Sequence, residues 1–470
     1  MFPSNRTTKT LRANVAAVLF AGLFTTAAMA ANVTLQTIDV TPNAKAISVG
    51  QKQAFKATGT FSDGSKQALG PALGDIAAGY WTTCGLQSHG GVECWGWNSF
   101  GQLGNGKFVD SLIPRAVQGI NAATTVAGRL FSTCALIAHG TVKCWGRNNL
   151  GQLGDGSNVD SNIPVPVARI STATALAVGG TAEHSCALLA VGAVQCWGSN
   201  RFFQLGDGSN IDSNIPVDVT GVNMAIALAV GDYHSCALVS NGAVQCWGYN
   251  NYGQLGNGNT ASSGTPVTVK GISNATAIAA GDKFTCALLA GGTIKCWGRN
   301  NWGQLGDGSR THSHIPTSVT GISSASSIIA GGQHACAALR SGVVQCWGAN
   351  YYGQLGNGAW NSSTIPVRVQ GINTPTHLAA GMDHTCALFS GGVMRCWGQN
   401  RYGDLGNRQT TDSSLPVTVI GTPGVLWQSS NAATASITPF GLATGRSIGN
   451  TTISATTAGF INDNAVLTVK

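Results

Sequence analysis

The sequence predicts an all-β protein, a seven-bladed β-propeller framed by two strand-rich flanks, and three observations carry that expectation. Fourteen cysteines fall into seven Cys-x9-Cys pairs, and each second cysteine is followed by Trp-Gly-x-Asn. The first members, Cys84, Cys134, Cys186, Cys236, Cys286, Cys336 and Cys386, recur every 50 residues apart from one step of 52. A period near 50 with β-type composition marks a propeller blade, a unit that stacks on copies of itself because it cannot bury its apolar face alone.

The chain opens with Arg6, Lys9 and Arg12, an apolar run from Val15 to Phe24, and Ala28-Met29-Ala30. This reads as a signal peptide, residues 1–30, cleaved after Ala30. The expected location is therefore secreted or periplasmic. The apolar run is too short to span a bilayer, and no later stretch is long enough, so no membrane span is expected. Of the net charge of +8, three charges belong to that leader, and only 9% of all residues are charged. Lys and Arg are scattered, which argues against tracking of nucleic acid.

Within one repeat, Phe284 to Leu289 and Thr293 to Trp297 are β-favouring runs separated by Ala290-Gly291-Gly292, a three-residue hairpin loop with glycine where positive φ is needed. Cys286 and Cys296 lie symmetrically about residue 291 and should face each other across the hairpin, at the separation a cross-strand disulfide requires. The same logic pairs Cys84-Cys94, Cys134-Cys144, Cys186-Cys196, Cys236-Cys246, Cys336-Cys346 and Cys386-Cys396. Reduced buried thiols and zinc are the rival readings. Zinc needs four close Cys/His ligands, whereas each blade offers two cysteines, and His184, His234, His334 and His384 give way to Thr82, Ser132 and Phe284 in the other copies. No metal and no cofactor is expected. Downstream, Asn300 and Gly303 to Gly306 form a turn, Ile315-Pro316 to Val319 reads as an edge strand, and a fourth strand is expected at 327–330. Trp95, Trp145, Trp197, Trp247, Trp297, Trp347 and Trp397 are expected to pack between blades rather than form a ligand cage.

The consensus Gly-x-x-His-Ser/Thr-Cys-Ala-Leu, followed by Gly-x-Val-x-Cys-Trp-Gly-x-Asn-x-x-Gly-Gln-Leu-Gly-Asn/Asp-Gly, resembles the regulator of chromosome condensation repeat in its cysteine-bearing bacterial form. The resemblance covers about residues 75 to 421 and implies seven blades. Two departures stand out: Phe203 replaces the glycine of Gly-Gln-Leu-Gly in the third unit, and Asp404 replaces the glutamine in the seventh.

The remaining segments, 31–69 and 425–470, are each too short for a core of their own. Joined, they are similar to the group 2 bacterial immunoglobulin-like domains, with Asp63-Gly64-Ser65 as the turn and Trp427, Ser429 and Ser430 as the Trp-x-Ser-Ser motif. The expected layout is a propeller over 70–424 inserted into a small immunoglobulin-like β-sandwich, which acts as a clasp on the ring or as a spacer.

Chemistry is sparse. The two glutamates, Glu93 and Glu183, lie in different repeats, and most aspartates sit in turns such as Asp155-Gly156 and Asp207-Gly208. No nucleophile elbow, Walker loop or His-Glu-x-x-His stands out, so no catalytic residue is assigned. Variation between copies is more telling. The third residue before each first cysteine is Trp81, Phe131, Glu183, Tyr233, Lys283, Gln333 or Asp383, and beside these stand Tyr80, Leu130, Asp282 and Met382. A ring places them on one rim, a mixed aromatic and charged surface suited to a protein partner, or to a glycan. In the resembled family a secreted bacterial member that inhibits β-lactamases uses this rim, and nuclear members act on a small GTPase. Export argues against a GTPase here. The expected function is an exported, non-enzymatic binding protein. The alternatives are a polysaccharide-acting enzyme with a channel site and a structural envelope component. Tyr252 and Tyr352 are assigned to the opposite face.

Overall fold

The computed structural model describes residues 35–470 apart from 43, 62–65, 69–72, 130, 181–182, 391, 421–425, 438–441 and 457–461. The leader, the Asp63-Gly64-Ser65 turn and Leu130 thus lie outside the described residues. Every regular element is a β-strand, and seven four-stranded antiparallel sheets follow one another along the chain. In blade 5 these strands are Ala275–Ala280, Phe284–Leu289, Ile294–Gly298 and Ser313–Ser318.

The hairpin forms as its symmetry requires. Cys286 stands opposite Cys296, Gly291 and Gly292 take φ of 100° and 95°, and the cysteine Cα atoms are 4.0 Å apart, the short spacing of a non-hydrogen-bonded pair. All seven cysteine pairs are bridged in this way. Non-reducing peptide mapping is expected to recover Cys286 joined to Cys296; a link between blades would contradict the fold.

The frame of the repeat differs from expectation by one strand. The segment at 327–330 belongs, as Ala325–Ala330, to the following sheet, where it pairs with His334–Leu339. The reason is the tight turn after it, where Gly331 N–H donates to the His334 carbonyl at 2.9 Å. These first strands are the innermost of each blade and touch one another around the whole ring, including His377–Ala380 against Leu73–Ala78. Each blade ends on an outer edge strand with proline at its fourth position, as in Ser313–Ser318 and Ser413–Thr418.

Blades are joined by tryptophan. All seven Trp side chains of the Cys-Trp-Gly motif are fully buried. Trp247 of blade 4 inserts among Cys186, Leu188, Leu205 and Val219 of blade 3, and its Nε1–H donates to the Gln204 carbonyl at 2.9 Å. The Ser235 hydroxyl donates to the same carbonyl at 3.1 Å. Phe203, in place of glycine, holds a positive φ of 67°, a conformation that costs a side-chain-bearing residue about 1–2 kcal/mol.

Blade 1 takes all four strands from the N-terminal part of the ring and blade 7 all four from its C-terminal part, so among the described residues no strand is exchanged across the seam. Closure rests on side chains and turns. The Asp404 carbonyl accepts from Trp95 Nε1 at 3.0 Å and from the Thr83 hydroxyl at 2.8 Å, and Met382 N–H donates to the Gly79 carbonyl at 3.1 Å. Close approach of these turns needs glycine, because a Cβ on Gly231, Gly281, Gly331 or Gly381 would meet the carbonyl oxygen of the next turn's glycine.

The chain ends pair with each other. Lys52–Phe61 lies beside Leu442–Gly445, and Ala46–Ile47 runs parallel to the end of Asn462–Val469. Two sheets result, each with strands from both ends of the chain. Their shared core joins Ile38, Val40 and Phe55 to Ile453, Leu467 and Val469. Trp427 packs on Phe55 with ring centroids 6.3 Å apart, and the hydroxyls of Ser429 and Ser430 bond that of Thr451 at 2.8 and 3.2 Å.

Candidate functional site

In an antiparallel four-stranded blade, the turn after the first strand and the loop after the third emerge on the same face. The rim residues occupy the first of these. Beside each stands the residue after Cys-Trp-Gly, whose N–H donates to the rim residue's carbonyl in every blade, as Trp97 does to Trp81 at 2.8 Å and Tyr249 to Tyr233 at 2.9 Å. The conserved-looking asparagine then shapes the long loop. Asn148 Oδ1 accepts from Leu153 N–H, and its amide donates to Asp155 Oδ1 at 3.1 Å. Asp160 accepts from the Asn148 N–H at 2.7 Å, so both aspartates serve the loop.

This geometry builds two aromatic clusters. In the first, Trp81 meets Tyr80, Trp97 and Tyr402 at centroid distances of 4.4, 5.1 and 5.1 Å. Trp97 meets Phe100 and Phe131 at 5.5 and 5.3 Å, and Trp81 Nε1–H donates to Gln399 Oε1 at 3.0 Å. The Arg147 guanidinium closes this cluster over Phe100 and Phe131, 5.0 and 5.1 Å from the ring centroids. It is fixed there by Glu183 at 2.7 Å, which also accepts from Gln152 at 2.8 Å. In the second cluster, Tyr233 meets Phe202 at 5.1 Å and Tyr249 at 5.9 Å. The Lys283 ammonium lies 5.2 Å from the Tyr233 ring centroid and 5.6 Å from that of Tyr252. Such cation–π contacts contribute roughly 0.5–2 kcal/mol each.

Tyr252 therefore belongs to the rim face, and Tyr352, at the equivalent loop position, does too; their assignment to the opposite face is corrected. The alternation of strand direction is the cause. Trp97, Phe100, Arg147, Tyr249 and Tyr402 were missed by looking only before the cysteines. Their signal was present in the variable residues after Cys-Trp-Gly and before Gly-Gln-Leu-Gly.

Between the clusters the mouth is acidic. Tyr80 is pushed up to about 12, first by burial and then by Asp383, Asp282 and Asp232, which belong to three other blades. Asp383 is itself raised to about 7 by burial and by the charge of Asp412, while accepting from Gln354 Nε2 at 3.1 Å. Gln333 Nε2 donates to Asp282 at 3.5 Å, and Met382 is half-buried between the turns. Burial also raises Glu93 and Glu183, and Arg147 partly offsets this at Glu183. Among the described residues, no group of three or more His, Cys, Asp or Glu side chains could hold a metal ion.

A closed ring of seven four-stranded antiparallel sheets is a β-propeller. Repeat models described as the regulator of chromosome condensation repeat match residues 89–136, 139–188, 192–238, 241–288, 292–338 and 341–388. The chain belongs to that family. A second model of the same repeat matches five segments between 75 and 404. Among solved structures, human WBSCR16 is similar at 23% identity over 68% of this chain and 87% of its own, with a TM-score of 0.61. Yeast RCC1 (Prp20), solved bound to Kap60, is similar at 22% over 76% and 87%, with 0.63. Prp20p from Saccharomyces cerevisiae, solved together with a description of its binding properties to Gsp1p and histones, is similar at 21% over 76% and 90%, with 0.63. No curated protein matches.

Proposed function

We propose that this chain is an exported, non-enzymatic binding protein that docks a protein partner on the rim face. The observation that carries the reading is the convergence of variable aromatic side chains from two loop sets onto one face, in a fold that commonly mediates protein binding. Large aromatics on a rigid support dominate protein interfaces. The yeast relative Prp20p has binding properties to Gsp1p and histones, which supports a protein ligand in kind. Seven disulfides favour an oxidising compartment, and with the leader they support export; no GTPase is expected as the partner. Among the described residues no helix is long and apolar enough to cross a membrane. The paired chain ends are proposed to be an immunoglobulin-like module serving as the ring's clasp.

Alanine at Trp81, Phe131 or Tyr233 is expected to weaken partner binding by about 2 kcal/mol, near thirtyfold. The partner is sought by pull-down from envelope and culture-supernatant fractions, and affinities are then measured by calorimetry. Controls lie on the opposite face, at the exposed Val191 and Met224. Loss of binding in the controls with an intact rim would overturn the reading, and capture of polysaccharide alone would replace the protein partner with a glycan.

A further inference from the structure

The seam between blades 7 and 1 carries an acid where each of the six interior seams carries glutamine. In the first six repeats the Gly-Gln-Leu-Gly glutamine sits at the blade boundary, and its side-chain oxygen accepts from the N–H two residues before it, as Gln354 does from Tyr352 at 3.0 Å. Asp404 takes this place in blade 7. One methylene shorter, its Oδ2 reaches the Tyr402 N–H only at 3.4 Å. Among the described residues its Oδ1 finds no partner across the seam, the N–H groups of Tyr402 and of Asp404 itself offset burial only in part, and the residue is fully buried.

We propose that Asp404 makes this seam a proton-dependent closure: the ring is held shut with the carboxyl neutral, and ionisation loosens the boundary between blades 7 and 1 ahead of the others. The charges acting on Asp404 are both carboxylates, Asp412 on its own loop and Asp110 on the corresponding loop of blade 1. Asp383, on the neighbouring turn, feels Asp412 as well. Tyr402 stands two residues away, and His384 lies behind Thr83, bonded to its hydroxyl at 2.9 Å. An ionised Asp404 would thus be buried beside like charges, with one oxygen unsatisfied, on the residue whose carbonyl anchors Trp95 and Thr83.

The sign follows from linkage. Burial holds Asp404 well above its ordinary value of 3.8, so folded and unfolded chains are both protonated below that value and stability is full there. As pH rises past 3.8 the unfolded chain sheds the proton while the closed seam retains it, and stability falls until the raised value is passed. His384, pushed down to about 4 by burial, acts in the opposite direction at acid pH. Comparison of variant with parent at each pH removes that contribution.

The experiment uses the full mature chain with Asp404→Asn and Asp404→Gln, the latter restoring the repeat's own residue. Thermal midpoints measured from about pH 4 to about pH 8 should diverge from the parent, the variants gaining as pH rises. Hydrogen exchange at the Trp95 indole, which reports this seam, should accelerate relative to Trp145 in the parent, by up to about tenfold per pH unit, and should not do so in either variant. Asp383→Asn should leave the Trp95 to Trp145 ratio pH-dependent. Midpoint differences that do not change with pH, or Trp95 exchange that tracks Trp145 in the parent, would overturn the proposal.

Discussion

Replacing Trp247 with alanine is expected to cost about 3–5 kcal/mol, the range for emptying a large aromatic from a core. The ring lies fully inside blade 3's apolar cluster, and the Gln204 carbonyl would lose the indole donor while keeping the Ser235 hydroxyl. A Cβ on Gly206 would meet the indole, so glycine is what lets that turn close over the ring. Trp247→Phe keeps most of the volume and should cost less. Denaturant unfolding followed by circular dichroism separates the two substitutions. A loss below about 1 kcal/mol for alanine would mean that the blades are not held by their tryptophans.

Deleting residues 425–470 is the second large perturbation. It removes about half of a core in which Ile453, Leu467 and Val469 face Ile38, Val40 and Phe55, so the remaining N-terminal strands should unfold. If the paired ends act as a clasp, the ring should suffer as well, because blades 1 and 7 exchange no strand and meet through a few hydrogen bonds and one apolar cluster that includes Leu73, Trp95, Leu388 and Leu405. The expected result is a lower midpoint for the propeller transition in scanning calorimetry and faster indole exchange at Trp95 than at Trp145. An unchanged propeller transition would leave the module as a spacer.

Much of the fold was legible because the repeat states its own symmetry. Cys286 and Cys296 are equidistant from a Gly-Gly turn, and that alone set the register of the hairpin. The tryptophans were readable as inter-blade residues because nothing else explained a large apolar side chain at one fixed place in every copy. Legibility ended where a repeat has no intrinsic beginning. Ala325–Ala330 is separated from both neighbouring sheets by short turns, and sequence order alone does not say which sheet it joins. The site was half visible for a related reason. Trp81, Phe131 and Tyr233 were found through variation before the cysteines, whereas Trp97 and Tyr252 reach the same face from loops many residues further on. Only the alternation of strand direction brings them together.

The proline on each blade's outer strand has a consequence for how these molecules meet one another. Each of the seven sheets ends on an outer strand that the neighbouring blade's loop meets near its start, as Gly106 N–H does the Asn162 carbonyl at 2.9 Å, and the rest of that edge is a template on which a strand of another molecule could grow. An imide nitrogen offers no proton to such a ladder, so Pro114, Pro164, Pro216, Pro266, Pro316, Pro366 and Pro416 interrupt every one of these edges near its middle. A wheel with this many rims carries its protection against polymerisation in the same residue of every spoke.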